Sequence, residues 1–110
     1  MKVLLDENID VRFKKFLSPF HETYTVLDMN WNGIKNGKLL QLLSANNFDC
    51  WIVVDKNIPY QQNISELPCL VIVLDVYRNT LNHLKVLLPQ LLNFLQRDNF
   101  PQKLVLIEEP

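Results

Sequence analysis

The sequence predicts an α/β fold of three layers, in which helices cover both faces of a central, mostly parallel sheet. Short apolar runs that are typical of strands alternate along the chain with longer segments whose apolar residues recur at helical spacing. This alternation favours parallel strands joined by helical crossovers. With 110 residues, of which 48% are hydrophobic and 21% charged, we expect a single domain with a core of its own.

Five segments are predicted as strands. Each is a run of four or five residues that are mostly apolar or β-branched. The first run has no polar interruption after Lys2, which is typical of a strand buried on both faces of a parallel sheet. The predicted strands are 2–5, 23–27, 50–54, 70–74 and 104–107.

The first two predicted helices have clear ends. In the first helix, Asn8 or Asp10 can cap the N-terminus, and Ser18-Pro19 ends it. The second helix begins near Asn36 and stops at Asn46-Asn47. The apolar positions expected on the buried face of the first helix are Ile9, Phe13, Phe16, Leu17 and Phe20.

A third, long helix follows Arg78-Asn79-Thr80 and carries its leucines on one stripe. We expect the stripe to belong to the core, with Leu88 and Leu92 on the packed face. Pro89 is expected to kink this helix or to begin a new one. The leucines of the stripe are Leu81, Leu84, Leu88, Leu91, Leu92 and Leu95, and the expected exposed positions are Asn82, Lys85 and Asn93.

Charge and apolar runs limit the partners and the location. The formal net charge is −1, so no strong basic field attracts nucleic acid, although a local patch or a metal ion could still hold phosphate. No apolar run approaches the ~20 residues of a membrane span, and the chain opens directly into a strand, so we expect a cytoplasmic protein without membrane contact. Cys50 and Cys69 lie in apolar runs, where we expect buried, reduced thiols. A homodimer is left open.

The acidic residues that follow the first, third and fourth predicted strands are candidates for a site. Asp6, with Glu7 beside it, follows the first strand, Asp55 the third and Asp75 the fourth. Because parallel strands end at one edge, where such sheets bind ligands, we expect these carboxylates to lie together. Carboxylates without histidine or cysteine partners suit Mg²⁺ or Mn²⁺, which activates water and stabilises charge on a phosphodiester. The alternative is that the acids only cap the following helices or, for Asp75, form a turn.

The order of these segments resembles the small PIN-like proteins. The matching stretches are LLDEN at 4–8, GIKNGKLL at 33–40 and VVDKN at 53–57, and the similarity covers nearly the whole chain. These proteins are compact relatives of the PIN-domain ribonucleases, and many are presumed toxins of toxin–antitoxin pairs. The resemblance implies a PIN-like fold, a metal-dependent endoribonuclease that cleaves single-stranded RNA, and a small cognate antitoxin as partner.

The resemblance also implies roles for individual residues. Asp6 would hold the metal ion, Glu7 would assist catalysis, and Asp55 would complete the acidic cluster, with Asn57 as a further ligand. Many relatives carry an acid where this chain has Asn36 and another where it has Asn57. An amide oxygen can bind a metal ion but brings no charge, so weaker metal binding follows.

Several polar residues beside the expected site are candidates for RNA binding. The lysines could contact phosphates or simply offset the carboxylates, and the glutamines could contact bases or lie in a solvated loop. Trp31 could stack on a base, although packing over the sheet edge is the expectation. His21 and His83 are assigned no catalytic role. The candidates are Lys35, Asn36, Lys38, Lys56, Gln61 and Gln62.

Two other functions remain as alternatives. A phospho-receiver also has an acidic pair after its first strand and an aspartate after its third, and Pro59 follows Asp55 at the spacing expected there. Against a receiver, no Lys-Pro follows the last strand, and Thr80 lies too far past the fourth strand. The second alternative is a non-catalytic PIN-like binding module, because Asn36 and Asn57 deplete the site of charge.

Overall fold

A computed structural model of the chain describes residues 1–57, 64–100 and 102–110. Within these ranges the chain forms five strands and three α-helices, with short 3₁₀ turns at Val11–Phe13 and Ile64–Glu66. The elements are β1 (Lys2–Leu5), α1 (Lys14–Leu17), β2 (Glu22–Thr25), α2 (Asn36–Ala45), β3 (Cys50–Val53), β4 (Leu70–Asp75), α3 (Leu81–Leu95) and β5 (Leu104–Glu108).

The five strands form one sheet in the order β2-β1-β3-β4-β5, and every neighbouring pair is parallel. The predicted α/β class and parallel sheet are therefore confirmed. The chain moves outward from β1 to β2 on one side and from β3 to β5 on the other. The strand order thus reverses between β1 and β3, and in sheets of this kind the crevice at the reversal is where ligands bind.

The two faces of the sheet are packed against different helices, which is consistent with three layers. Along β3, Cys50 and Ile52 lie in a core cluster with leucines of α1 and α3. Trp51 and Val53 lie in a second cluster with Leu39 and other residues of α2. We call these the α3 face and the α2 face. Because β3 is buried on both faces, its side chains are apolar without interruption.

The first helix differs from the prediction. Asp10 caps it by accepting the N–H of Arg12 at 2.9 Å, but the chain forms one 3₁₀ turn before α1 begins at Lys14. The Arg12 guanidinium also bonds the carboxylate and holds the pKa of Asp10 at about 2. The expected burial of Phe20 is wrong, since this side chain is exposed. Phe20 lies beyond the end of α1, where helical spacing no longer determines which side chains are buried.

The long helix α3 packs with a different phase from the one expected. Leu87, absent from the predicted stripe, is fully buried, whereas Leu88 and Leu92 are only partly buried at the flank of the α3-face core. The helix continues through Pro89 as one element, so the expectation of a new helix there is wrong. The fully packed positions are Leu84, Leu87, Leu91 and Leu95, and the predicted exposed positions Asn82, Lys85 and Asn93 are confirmed.

Several smaller expectations are confirmed. The helix α2 runs from Asn36 to Ala45 as predicted. Cys50 and Cys69 are both free and buried. Trp31 packs edge-on against Phe48, with 5.8 Å between ring centroids. No helix in the described part of the chain is long and apolar enough to cross a membrane.

Candidate functional site at the carboxyl edge of the sheet

The three acids predicted to form a site follow three adjacent strands, β1, β3 and β4. Asp6 comes directly after β1, Asp55 lies two residues past β3, and Asp75 is the last residue of β4. Side chains alternate between faces along a strand. Leu4, Val53 and Val73 lie on the α2 face, and each precedes one of the three acids by two residues, so alternation assigns all three acids to that face. The topology therefore brings them to one edge and one face of the sheet.

The three positions are not level with one another. The ladder between β1 and β3 continues as far as Asp6, whose N–H donates to the carbonyl of Ile52 at 2.9 Å. Leu5 is in register with Ile52, and Val53 is in register with Val73. Continuing the register places Asp55 level with Asp75, and two residues further toward the edge than Asp6. Asp6 is thus the innermost acid of the site.

Asp6 is the acid most enclosed by the protein, with 7% of its surface exposed. Burial raises the pKa of this carboxyl, and the backbone N–H groups of Glu7 and Asn8 offset only part of the effect. The negative charge of Glu7 adds to the increase. The side-chain amide of Asn8 is 3.5 Å from the Asp6 carboxylate, at the limit of a hydrogen bond. The charged form of Asp6 is therefore poorly compensated.

The indole N–H of Trp51 is a second uncompensated group beside Asp6. Trp51 is in register with Leu4, two residues before Asp6, and is completely buried on the α2 face. Its Nε1 has no hydrogen-bond partner among the described residues. It lies near enough to favour the charged form of Asp6 slightly, without completing a hydrogen bond. An unpaired buried donor costs free energy, so this N–H is a candidate to donate to an oxygen that binds beside Asp6.

Loops from both sides of the sheet are attached to the residues that follow β1. The exposed carboxylate of Glu7 accepts the N–H of Gly33 at 3.2 Å, which holds the loop before α2. Gly33 has φ of +78°, a conformation that glycine adopts at no steric cost. The carbonyl of Asn8 accepts the side-chain amide of Asn79 at 2.7 Å, which holds the loop before α3. Glu7 therefore already has a structural role besides the one predicted for it.

The acids after β3 and β4 are also engaged. Asp55 accepts the backbone N–H of Asn57 at 2.8 Å, which folds this carboxylate over its own turn. Lys56 lies 2.6 Å from Asp75 in an ion pair. Of the two roles expected for Lys56, this contact supports the one in which the lysine offsets a carboxylate.

The remaining candidates lie around the start of α2 or outside the described residues. Lys35 immediately precedes α2 and Lys38 lies in its first turn, and both are exposed. They follow the loop that Gly33 attaches to Glu7. Asn36 is the first residue of α2 and is partly buried. Gln61 and Gln62, and also Pro59, lie outside the described residues.

The acids do not form a closed metal-binding group. In the ranges 1–57, 64–100 and 102–110, no three histidine, cysteine, aspartate or glutamate side chains are placed to hold a metal ion together. Asp75 is instead paired with Lys56, and Asp55 bonds within its own turn. The edge therefore offers separate carboxylates, of which Asp6 is the least compensated.

A partly buried contact between His83 and Glu109 was not predicted. His83 Nδ1 is 2.8 Å from the carboxylate of Glu109, which also accepts the N–H of Tyr77 at 2.8 Å. The bond from Tyr77, together with His83, lowers the pKa of Glu109. The residues are 26 apart in sequence, and the packing of α3 against β5 brings them together. The contact fastens the residues after β5 to the loop after β4.

Comparison of the chain with protein-family models, with curated protein sequences and with solved structures finds no match.

Proposed function

We propose that this protein is a PIN-like, Mg²⁺- or Mn²⁺-dependent endoribonuclease of toxin–antitoxin type that cleaves single-stranded RNA. The observation that supports the proposal best is the position of Asp6 and Asp55. They follow the two strands on either side of the point where the strand order reverses, and alternation assigns them to one face. In open α/β sheets this crevice is the usual place for a ligand.

The donors present suit a hard divalent cation. Asp6 and Asp55 would hold it, and the amide of Asn57 would offer a further oxygen. Magnesium commonly uses one or two carboxylates and completes its coordination with water and substrate phosphates, so a third acid is not required. Burial raises the pKa of Asp6, and a cation bound nearby would lower it again by favouring the charged carboxylate. When bound, such an ion supplies an activated water and stabilises charge on the phosphodiester.

The other residues of the edge would position the RNA. Asp6 is held in a hydrogen-bonded ladder, so its carboxylate needs little rearrangement to act. Lys35 and Lys38 would contact phosphates, while Lys56 would have to release Asp75 to do so. The buried N–H of Trp51 would donate to an oxygen bound beside Asp6. Asn36, Gln61 and Gln62 belong to the same proposal as RNA contacts, and the antitoxin as the partner that restrains the enzyme.

The test combines RNA cleavage with metal-dependent melting of the purified chain. Wild type should cleave single-stranded RNA in Mn²⁺ or Mg²⁺ and should melt at a higher temperature with the ion than in EDTA. Asp6→Asn and Asp55→Asn should lose both properties. Asp98→Asn, which removes an exposed aspartate far along the sequence from these strands, is the control and should keep both. Metal-independent cleavage, or cleavage retained by Asp6→Asn, would contradict the proposed role of the carboxylates.

A non-catalytic binding module is the second candidate. The bonds that engage Glu7 and Asp75, and the lack of a three-residue group in the described ranges, favour it. A wild type that neither cleaves RNA nor gains stability from Mn²⁺, combined with metal binding gained by Asn36→Asp or Asn57→Asp, would identify this module. Such a result would mean that the fold has kept its site but lacks the charge to use it.

A phospho-receiver is favoured by one further observation. The strand order β2-β1-β3-β4-β5 is a doubly wound order that receivers share. Thr80, however, caps α3, with its hydroxyl 3.4 Å from the N–H of His83. Incubation with acetyl phosphate and Mg²⁺ distinguishes a receiver from a ribonuclease, because only a receiver would gain a phosphoryl group on Asp55.

A further inference from the structure

The basic residues of the chain are concentrated in the layer of helices that covers the α3 face. The segments 11–21 and 76–97, which contain α1 and α3, hold six of the eleven lysine and arginine residues and none of the twelve acidic residues. The net charge of −1 therefore combines one strongly basic layer, which we call the basic layer, with an acidic remainder. Its six cations are Arg12, Lys14, Lys15, Arg78, Lys85 and Arg97.

The two helices of the basic layer lie side by side. Leu17 of α1 and Leu84 of α3 belong to the same core cluster on the α3 face. Near the surface, one lysine from each helix approaches the ring of Phe16, and the ammonium groups of Lys15 and Lys85 are 5.2 and 5.1 Å from its centroid. At most about 10 Å therefore separates the two ammonium groups. The packing of α1 on α3 thus brings two cations together that are 70 residues apart in sequence.

Four of the six cations have no carboxylate partner. Arg12 pairs with Asp10 and Lys14 pairs with Asp28, both at 2.7 Å. The other four are exposed and form no ion pair with any described residue. Like charges held close together repel each other, so a bound anion would stabilise this arrangement. The cations without a carboxylate are Lys15, Arg78, Lys85 and Arg97.

The basic layer reaches the carboxyl edge of the sheet, where the candidate site lies. The helix α3 begins at that edge, because it follows the end of β4. Arg78 lies in the loop between them, and the next residue, Asn79, donates its side-chain amide to the carbonyl of Asn8 at 2.7 Å. Asn8 is only two residues past Asp6. From this edge the basic layer continues along α3, whose 15 residues span about 22 Å.

We infer that the basic layer binds the phosphates of a single-stranded RNA whose chain continues from α1 and α3 across the carboxyl edge. Lys15, Arg78 and Lys85 would contact the RNA backbone. The inference rests on the proposed function, which supplies RNA as the polyanion.

The composition of the basic layer favours RNA over an acidic protein as the occupant. Interfaces with nucleic acid are much more positively charged than interfaces between proteins. Lysine is depleted in interfaces between proteins, whereas lysine and arginine are the usual contacts of phosphate groups. A layer with six cations and no acid of its own therefore fits a nucleic acid backbone. Such contacts position the strand and carry no sequence information, so we expect little preference among bases.

The experiment measures binding of a fluorescein-labelled single-stranded RNA by fluorescence anisotropy, in EDTA and over a series of KCl concentrations. For single strands, each phosphate contact adds about 0.7 to the slope of log affinity against log salt. The double variant Lys15→Gln, Lys85→Gln should therefore lower this slope by about 1.4. If the affinities converge at about 1 M salt, the variant should bind about 25-fold more weakly than wild type at about 0.1 M. Lys15→Arg with Lys85→Arg should bind as wild type does, because the charges are kept.

A matched control changes the net charge by the same amount in the other helix layer. Ser44 and Ala45 are exposed at the end of α2. Ser44→Glu with Ala45→Glu adds two negative charges there and should leave the slope unchanged and the Kd within about two-fold of wild type, because no phosphate contact is lost. Far-ultraviolet circular dichroism should be the same for wild type and all variants, which excludes unfolding as the cause.

Cleavage is measured separately in Mn²⁺, so that the inference and the proposed function can fail independently. RNA binding that the glutamine pair weakens, in a wild type that cleaves nothing, would remove the endoribonuclease and support the inference. Cleavage by wild type, with the same salt slope in the glutamine pair, would overturn the inference and keep the enzyme. A wild type that does not bind RNA at low salt in EDTA would also overturn it. So would equal affinity for polyglutamate, which would assign the basic layer to an acidic protein.

Discussion

Replacement of Asp6 by asparagine tests whether this carboxylate serves function or is required by the fold. The side chain is almost fully buried, and burial raises its pKa above the ordinary 3.8. Asparagine has nearly the same shape and keeps an oxygen for the neighbouring N–H groups, but it carries no charge. The variant therefore removes the cost of burying a charge and leaves the packing of the α2 face in place.

The direction of the effect follows from proton linkage. Between pH 3.8 and the raised pKa of the folded protein, the folded state retains a proton on Asp6 that the unfolded chain has lost. The free energy of unfolding must therefore fall as pH rises through this interval, by at most about 1.4 kcal/mol per pH unit for one group. The loss persists at neutral pH. Asp6→Asn should lack this loss and be more stable than wild type at pH 7 in EDTA.

Urea unfolding at a series of pH values in EDTA measures the difference directly. The gap between Asp6→Asn and wild type should open above pH 3.8 and close below it, while Asp98→Asn should follow wild type. Saturating Mn²⁺ should reverse the order at pH 7, since a ligand at 100 times its Kd adds about 2.7 kcal/mol to the state that binds it. An Asp6→Asn variant that is less stable than wild type at pH 7 in EDTA would refute the reasoning. The carboxylate would then be a structural acceptor that the fold requires.

Three further predictions concern the core, the thiols and the site. Leu87→Ala should cost about 2–5 kcal/mol in urea melts because the side chain is fully buried, and Leu88→Ala should cost clearly less; equal costs would contradict the phase of α3. Burial raises the pKa of Cys50 well above its usual value and that of Cys69 to about 11, so a thiol reagent at pH 8 should modify both only after unfolding, and rapid labelling of native protein would show otherwise. Asn57→Asp should lower the Kd for Mn²⁺ in a calorimetric titration, because it adds a charge to the proposed ligand set; an unchanged Kd would remove residue 57 from that set.

The amino-acid order alone is sufficient for the class of fold and for the location of the acids. A strand that is buried on both faces must be apolar throughout. The apolar runs before Asp6 and before Asp55 can therefore be recognised as buried strands from the sequence alone. Helices between such strands imply parallel pairing, and parallel pairing implies one carboxyl edge. These inferences depend only on local patterns and chain geometry, which is why the structure agrees with them.

The phase of α3 is a different matter. Leucines occupy so many positions along this helix that more than one apolar stripe is possible, and the choice between Leu87 and Leu88 depends on how the helix is rotated against the sheet. The prediction that Phe20 is buried was wrong for a related reason, since its burial required α1 to continue one turn further than it does. Periodicity identifies an amphipathic element, but the surface opposite decides its rotation and its end.

The state of the carboxylates and of the sheet edges depends on contacts between residues far apart in the chain. No local pattern indicates that Lys56 pairs with Asp75, that Glu7 holds Gly33, or that Trp51 presents a buried N–H beside Asp6. Likewise, β2 and β5 are both short strands in the sequence, and only the assembled sheet makes them its two edge strands. Patterns of period two or 3.6 describe neighbours along the chain, whereas burial, pKa and free hydrogen-bonding groups are properties of neighbours in space.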